Sequence, residues 1–153
     1  MKRKMKVYLD TSVISALFDE KNPQRQILTQ RFFKNIATFD TYVSEVVLAE
    51  IDDTRDTQLK NRLREVAISF NILSIDEEKS RALAGKYVKN GAIPSDYSED
   101  ALHISISTLN GIDYLLSWNF EHIVKVKTRK IVNMLNASLG YTNLEIITPA
   151  ELM

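Results

Sequence analysis

Three acids and one amide stand where apolar stretches of this chain give way: Asp10, Glu50, Asp100 and Asn119. Asp10 ends the run Val7-Tyr8-Leu9. Glu50 follows the pattern Val46, Val47, Leu48 that begins after Ser44. Asp100 lies near the start of a helix led by Pro94-Ser95, and Asn119 follows another apolar run in Ser117-Trp118-Asn119-Phe120. Gathered carboxylates repel, and one takes up a proton unless a cation neutralises them. An oxygen-rich set without cysteine or paired histidines suits Mg²⁺ or Mn²⁺, which keep several waters and need few protein ligands. Such an ion lowers the pKa of bound water and stabilises a phosphorane-like transition state. The chemistry implied is metal-assisted phosphodiester hydrolysis.

Each of these residues also has a structural alternative. Asp10 suits an N-cap or a strand-end turn. Asp96, Glu99, Asp100 and His103 recur at i, i+3, i+4 and i+7, so they share one face of a predicted helix over 96–110. Ser95 or Asp96 can cap that helix and Glu99 can close a capping box, with the helix dipole favouring acids in the first turn. Asp100 lies deeper in an apolar stretch. Thr11 and Ser12 can orient Asp10 or simply cap the helix after it. His103 can face the site or pack, and His122 can fix the loop that carries Asn119. Trp118 reads as core. Lys125, Lys127, Arg129 and Lys130 can meet phosphates or form a solvated helix start.

The elements that must position these side chains follow from periodicity. Val7-Tyr8-Leu9 has the character of a strand buried on both faces. The spacing then predicts a helix with Val13, Ile14, Leu17 and Phe18. A helix opened by Pro23 follows, with Ile27, Leu28, Phe32, Phe33 and Ile36 on one face. Strands are expected at 39–43, 71–75, 111–117 and 144–147. Helices are expected around Glu50, across the charged stretch 52–64, from an Asp76 cap to about Asn90, and over 129–139 before Gly140. Strands alternating with helices imply a parallel sheet covered on both faces. Asp10 then lies at a carboxyl edge, where ligands bind in open α/β sheets.

With 153 residues the chain is the size of one domain, and 44% hydrophobic with 26% charged residues is ordinary globular material. Twenty Lys plus Arg balance twenty Asp plus Glu, which argues against a surface coated in positive charge. With no cysteine, disulfides, zinc–thiolate sites and cysteine nucleophiles are excluded. No stretch approaches the ~20 apolar residues of a membrane span, so a cytoplasmic protein without membrane contact is expected.

Four segments occur in the order of the motifs of PIN-domain ribonucleases. They are Val7-Tyr-Leu-Asp10-Thr-Ser12, Val43-Ser44 with Ala49-Glu50, Glu99-Asp100-Ala-Leu-His103-Ile, and Leu115-Leu-Ser-Trp-Asn119-Phe-Glu-His122. The chain most resembles the VapC-type toxins of prokaryotic toxin–antitoxin modules, from Val7 to Ile147-Thr-Pro-Ala-Glu-Leu152. The resemblance implies a single PIN-like α/β domain over 1–153, with a central parallel sheet of about five strands and helices on both faces. It also implies a Mg²⁺- or Mn²⁺-dependent endoribonuclease, commonly a homodimer, held inactive by a cognate antitoxin. Asp10, Glu50 and Asp100 match the family's three principal acids. Asn119 matches a fourth position that is often aspartate, and a neutral amide there weakens any second metal. Asp96 and Glu99 could compensate for the missing charge, and Thr11 and Ser12 match hydroxyl residues that support the first acid.

Two competing functions follow from the same residues. A phosphotransferase of the haloacid-dehalogenase kind would use Asp10 as nucleophile, but needs a second acid where Ser12 stands. A degenerate PIN domain would bind RNA or a protein partner without cutting, and Asn119 keeps that alternative open.

Overall fold

The computed structural model describes residues 3–152. Its centre is a five-stranded sheet in the order β3-β2-β1-β4-β5, parallel throughout. The strands are β1 (Lys6–Leu9), β2 (Asp40–Ser44), β3 (Asn71–Leu73), β4 (Tyr114–Leu116) and β5 (Glu145–Ile147). Val7, Tyr8 and Leu9 are each 0% exposed. Successive strand residues point to opposite faces, so β1 is covered on both sides by helices. This is the α/β architecture that the alternation of patterns predicts.

Among the described residues seven α-helices surround the sheet: α1 (Thr11–Ala16), α2 (Pro23–Lys34), α3 (Glu45–Asp52), α4 (Thr57–Ile68), α5 (Glu77–Lys89), α6 (Ser98–Leu109) and α7 (Val126–Ser138). Four of their starts depend on short polar side chains, that of α1 on Asp10. Ser44 caps α3 by accepting from Val46 N–H, Asp56 caps α4, and Asp76 caps α5 through Lys79 N–H. Gly140 takes φ +83° just past α7, the left-handed conformation that a glycine adopts without strain.

Several local expectations are corrected. The cap of α1 is Asp10 itself, not Thr11 or Ser12: its carboxylate accepts from Val13 N–H at 3.2 Å. The segment led by Ser95 divides into a 3-10 turn, Ser95–Tyr97, and then α6, which has no side-chain cap. Asp96 therefore lies outside the helix that Asp100 and His103 share. In α2, Ile27 is 48% exposed while Phe32 is fully buried, so the apolar stripe is narrower than the periodicity suggests. Helix α7 begins at Val126, earlier than expected, and absorbs part of the basic run.

Helix α6 is the element most deeply set. Every residue from Ala101 to Thr108 is buried, as in a helix enclosed on all sides. Its serines are satisfied locally: Ser107 Oγ donates to the His103 carbonyl at 2.8 Å, and Ser105 Oγ to that of Leu102 at 3.1 Å. Only its first turn emerges, carrying Asp100 to the carboxyl edge of the sheet.

The register fixes what meets at that edge. Leu9 pairs with Leu116, and Asp10 N–H donates to the Leu116 carbonyl at 3.2 Å. One step further along, Asp10 and Ser117 stand side by side. Strand order reverses between β1 and β4, and a crevice opens where neighbouring connections leave in opposite directions. Leu115→Ala, in the fully buried middle of β4, is expected to lower unfolding free energy by about 2–4 kcal/mol in urea titration with the m-value unchanged.

Candidate active site

Asp10 is 3% exposed at the reversal point. Ser12 Oγ donates to its Oδ1 at 2.5 Å and Val13 N–H at 3.2 Å. Burial pushes its pKa upward, opposed by the nearby His103 and by hydrogen bonds from Ser117, Ser12 and Val13. A carboxylate in such a place keeps its charge only with a cation or donors close by. Ser12 also ties the two central strands together, because its Oγ accepts from Trp118 N–H at 2.9 Å. Both Thr11 and Ser12 act through their side chains: Thr11 Oγ1 donates to Glu50 Oε1 at 2.9 Å.

Glu50 lies in the last turn of α3 with its side chain 39% exposed. The same Oε1 accepts from His103 Nε2 at 2.6 Å. His103 is 2% exposed, and its Nδ1 lies 2.7 Å from Tyr8 Oη, which is itself 2.7 Å from Ser44 Oγ. With neutral His103 protonated on Nε2, every group is satisfied. Ser44 then donates to Tyr8, Tyr8 to Nδ1, and Nε2–H to Glu50, while Ser44 accepts from Val46 N–H at 3.2 Å. Burial pulls the His103 pKa down, but Glu50, Asp10 and Asp100 outweigh it, and the net shift is upward. In either protonation state Nε2–H faces Glu50. Burial raises the Glu50 pKa, and bonds from His103 and Thr11 more than reverse that, leaving it lowered. Burial also raises the pKa of Tyr8 far enough to keep the phenol neutral.

Asp100, with 22% of its side chain exposed, is held from the loop after β4. His122 Nδ1–H donates to its Oδ2 at 3.1 Å, and Asn119 Nδ2 points to the same oxygen at 3.4 Å. The orientation of Asn119 is set by a backbone donor: His122 N–H reaches Asn119 Oδ1 at 3.0 Å. The amide oxygen thus closes a turn and the NH₂ faces Asp100, opposite to a metal-facing oxygen. Asn119 N–H donates to Ser117 Oγ at 2.9 Å, so Ser117 and Asn119 link Asp10 to Asp100. His122 stacks on Tyr97 with ring centroids 3.8 Å apart.

Asp10, Glu50 and Asp100 all act electrostatically on His103, and Asn119 and His122 join them through Asp100. Asp96 and Glu99 do not join. Asp96 is exposed on the 3-10 turn, and Glu99 points outward, 3.6 Å from Arg81. Among the described residues, no three Asp, Glu or His side chains close into a ready-made metal cage. The donor set fits a water-rich hard cation held by one or two carboxylates, as Mg²⁺ is commonly bound.

Periodicity places Tyr8 and Ser117 within strands and Ser44 at a strand end, with no site role for any of the three. Tyr8 carried a signal, since a tyrosine among fully buried strand residues needs a partner for its hydroxyl. Trp118, expected in the core, is 7% exposed, and its indole N–H donates to Thr29 Oγ1 at 2.9 Å.

No protein-family model matches the chain, and no curated protein sequence matches it. Solved structures do. VapC20 of Mycobacterium tuberculosis, described as a sarcin-ricin loop cleaving toxin, is 12% identical with a TM-score of 0.61. That alignment covers 91% of this chain and 98% of the other. VapBC2 of Rickettsia felis, solved bound to a DNA fragment from its promoter, is 15% identical with a TM-score of 0.58, covering 93% and 97%.

Tyr8→Phe keeps the ring but leaves His103 Nδ1 and Ser44 Oγ without their shared partner, and is expected to cost about 1–3 kcal/mol in urea unfolding. At 12% and 15% identity the likeness speaks for architecture, and on that ground the chain carries the PIN-domain fold of the VapC type.

Proposed function

We propose that this protein is a metal-dependent endoribonuclease, working as a single PIN-like domain and as the toxin of a type II toxin–antitoxin pair. The observation that carries the reading is the buried Asp10 at the reversal of strand order, with Glu50 and Asp100 near enough to act with it on one histidine, His103. Asp10 and Asp100 would hold Mg²⁺ or Mn²⁺, with Glu50 as the third acid. A bound ion of this kind supplies an acidified water as nucleophile and neutralises charge developing on the scissile phosphate.

The chain's own residues prepare that site. Ser12 and Ser117 orient Asp10. Thr11 and His103 hold one oxygen of Glu50 and leave its partly exposed carboxylate directed by donors on two elements. Asn119 and His122 hold Oδ2 of Asp100, so Asn119 serves as a donor to a ligand and not as a ligand. That arrangement favours one metal over two, because the fourth position brings neither charge nor a free oxygen.

The neighbour described as a sarcin-ricin loop cleaving toxin supports RNA as substrate, and the VapBC2 structure supports an antitoxin partner. Among the described residues no helix is long and apolar enough to cross a membrane. The toxin reading carries with it a cytoplasmic homodimer. A non-cleaving RNA- or protein-binding role is the second reading, favoured by the engaged amide of Asn119.

Two measurements decide between them. Single-stranded RNA in Mn²⁺ is expected to be cut by the native protein and at least about 100-fold more slowly by Asp10→Asn, with circular dichroism unchanged. Equal inertness of both toward a panel of RNAs favours the binding role. Mn²⁺ at about ten times its Kd is expected to stabilise the native protein by about 1.4 kcal/mol, or about 2–6 °C in Tm, and Asp10→Asn by much less. Removal of the metal by chelation reverses the shift.

A further inference from the structure

Exposed aromatic rings are few, and their placement is uneven. Among the described residues they are Tyr97, Phe120 and Tyr141. Tyr97 and Phe120 belong to the two segments that present Asp100 and Asn119. Phe120 is 52% exposed and follows Asn119 directly, in a loop where Trp118 engages Thr29, Asn119 engages His122 and Asp100, and His122 engages Asp100 and Tyr97, while Phe120 and Glu121 face outward. Its ring meets Trp118 edge-on, centroids 6.2 Å apart.

Arg25, in the first turn of α2, completes the corner. Its guanidinium lies 5.3 Å from the Trp118 ring centre and 5.9 Å from that of Phe120. Among the described residues it has no carboxylate within ion-pair distance and makes no side-chain hydrogen bond, so its donors stay free. Lys21 and Arg25, with Asn22, Pro23 and Gln24 between them, line a groove of about 450 Å³ there together with Leu28, Trp118 and Phe120. A flat π-face beside an uncommitted guanidinium matches an unpaired nucleobase joined to a phosphate. Every base offers a face to stack, and arginine meets phosphate through a fork of donors. The two cations that border the apolar lining favour an anionic strand over an uncharged protein surface.

We infer that Phe120 and Arg25 form a nucleobase subsite beside the cleavage site, Phe120 stacking on one unpaired base of the strand and Arg25 meeting its phosphate. The inference rests on the endoribonuclease reading and restricts its substrate to RNA unpaired next to the cut. Neither residue touches the carboxylates, so both are binding residues and not catalytic ones.

The test uses the full chain in Mn²⁺ with an unstructured 12-nucleotide RNA of mixed adenosine and uridine. Phe120→Ala is expected to raise KM about tenfold, the loss falling on KM and not on kcat, whereas Phe120→Tyr retains the native KM. Phe120→Leu, which keeps bulk without a π-face, should behave like Phe120→Ala, and Arg25→Gln should raise KM and flatten its salt dependence. Trp118 is the only tryptophan, so quenching of its emission by the same RNA, lost in Phe120→Ala, reports the corner directly. A native KM in Phe120→Ala, or in Phe120→Leu, overturns the subsite, the latter by showing a merely apolar contact. If Asp10→Asn abolishes cleavage in that same series, the nuclease reading survives the loss of the subsite. If the native protein neither cuts the RNA nor responds to it in Trp118 emission, both fall together.

Discussion

A carboxylate at 3% exposure, set at the end of a strand with no exposed residue from Val7 to Leu9, is the constraint around which this molecule is arranged. An apolar interior disfavours the charge, and the chain answers with directed donors: Ser12, Ser117 and Val13 N–H converge on Asp10, with His103 close enough to act through space. The same donors are structural joints. Ser12 ties α1 to the backbone beyond β4, and Asp10 caps α1. Charge placement and strand packing are therefore one problem with one solution, and a change that relaxes either disturbs both.

His103 extends that solution to the rest of the edge. It is carried on a helix buried all round, yet its two ring nitrogens face a phenol on β1 and a carboxylate on α3. A buried polar network of this kind is favourable only when every member is satisfied. Here the chain Ser44–Tyr8–His103–Glu50–Thr11 can be satisfied throughout. It joins β2, β1, α6, α3 and α1, the elements that carry or flank the acids. Glu50 is consequently less free than a metal ligand on an exposed helix, since two donors fix Oε1 and leave Oε2 as the oxygen for an ion.

Asn119 shows how one substitution in a pattern changes a role and not only a charge. With aspartate, two equivalent oxygens would face the turn and the site alike. With asparagine, the backbone N–H of His122 claims the oxygen, and the NH₂ group has only an acceptor to turn to, Asp100. The loop gains a donor where the family pattern often has an acid, and the site becomes a two-carboxylate edge with Glu50 behind it. Phe120, one residue further on, is half exposed beside it.

Much of this was legible in local sequence. Hydrophobic periodicity sets element type, because burial on one stripe or on alternate faces leaves its period in the residue order. The parallel sheet, Asp76 as a helix cap and the position of Asp10 at a strand end follow from it. Boundaries were less legible at Ser95–Ser98, where capping residues offer several equivalent starts and the packing of α6 against α5 selects one. That choice moved Asp96 out of the site, while Glu99, inside α6, turns instead to Arg81 on α5. What no local pattern contains is partnership over long separations, such as Tyr8 with His103, Thr11 with Glu50, Ser12 with Trp118 N–H, and Arg25 with Phe120. Those contacts depend on strand order and register, and only the folded sheet, by setting β4 beside β1, decides which side chains share a crevice.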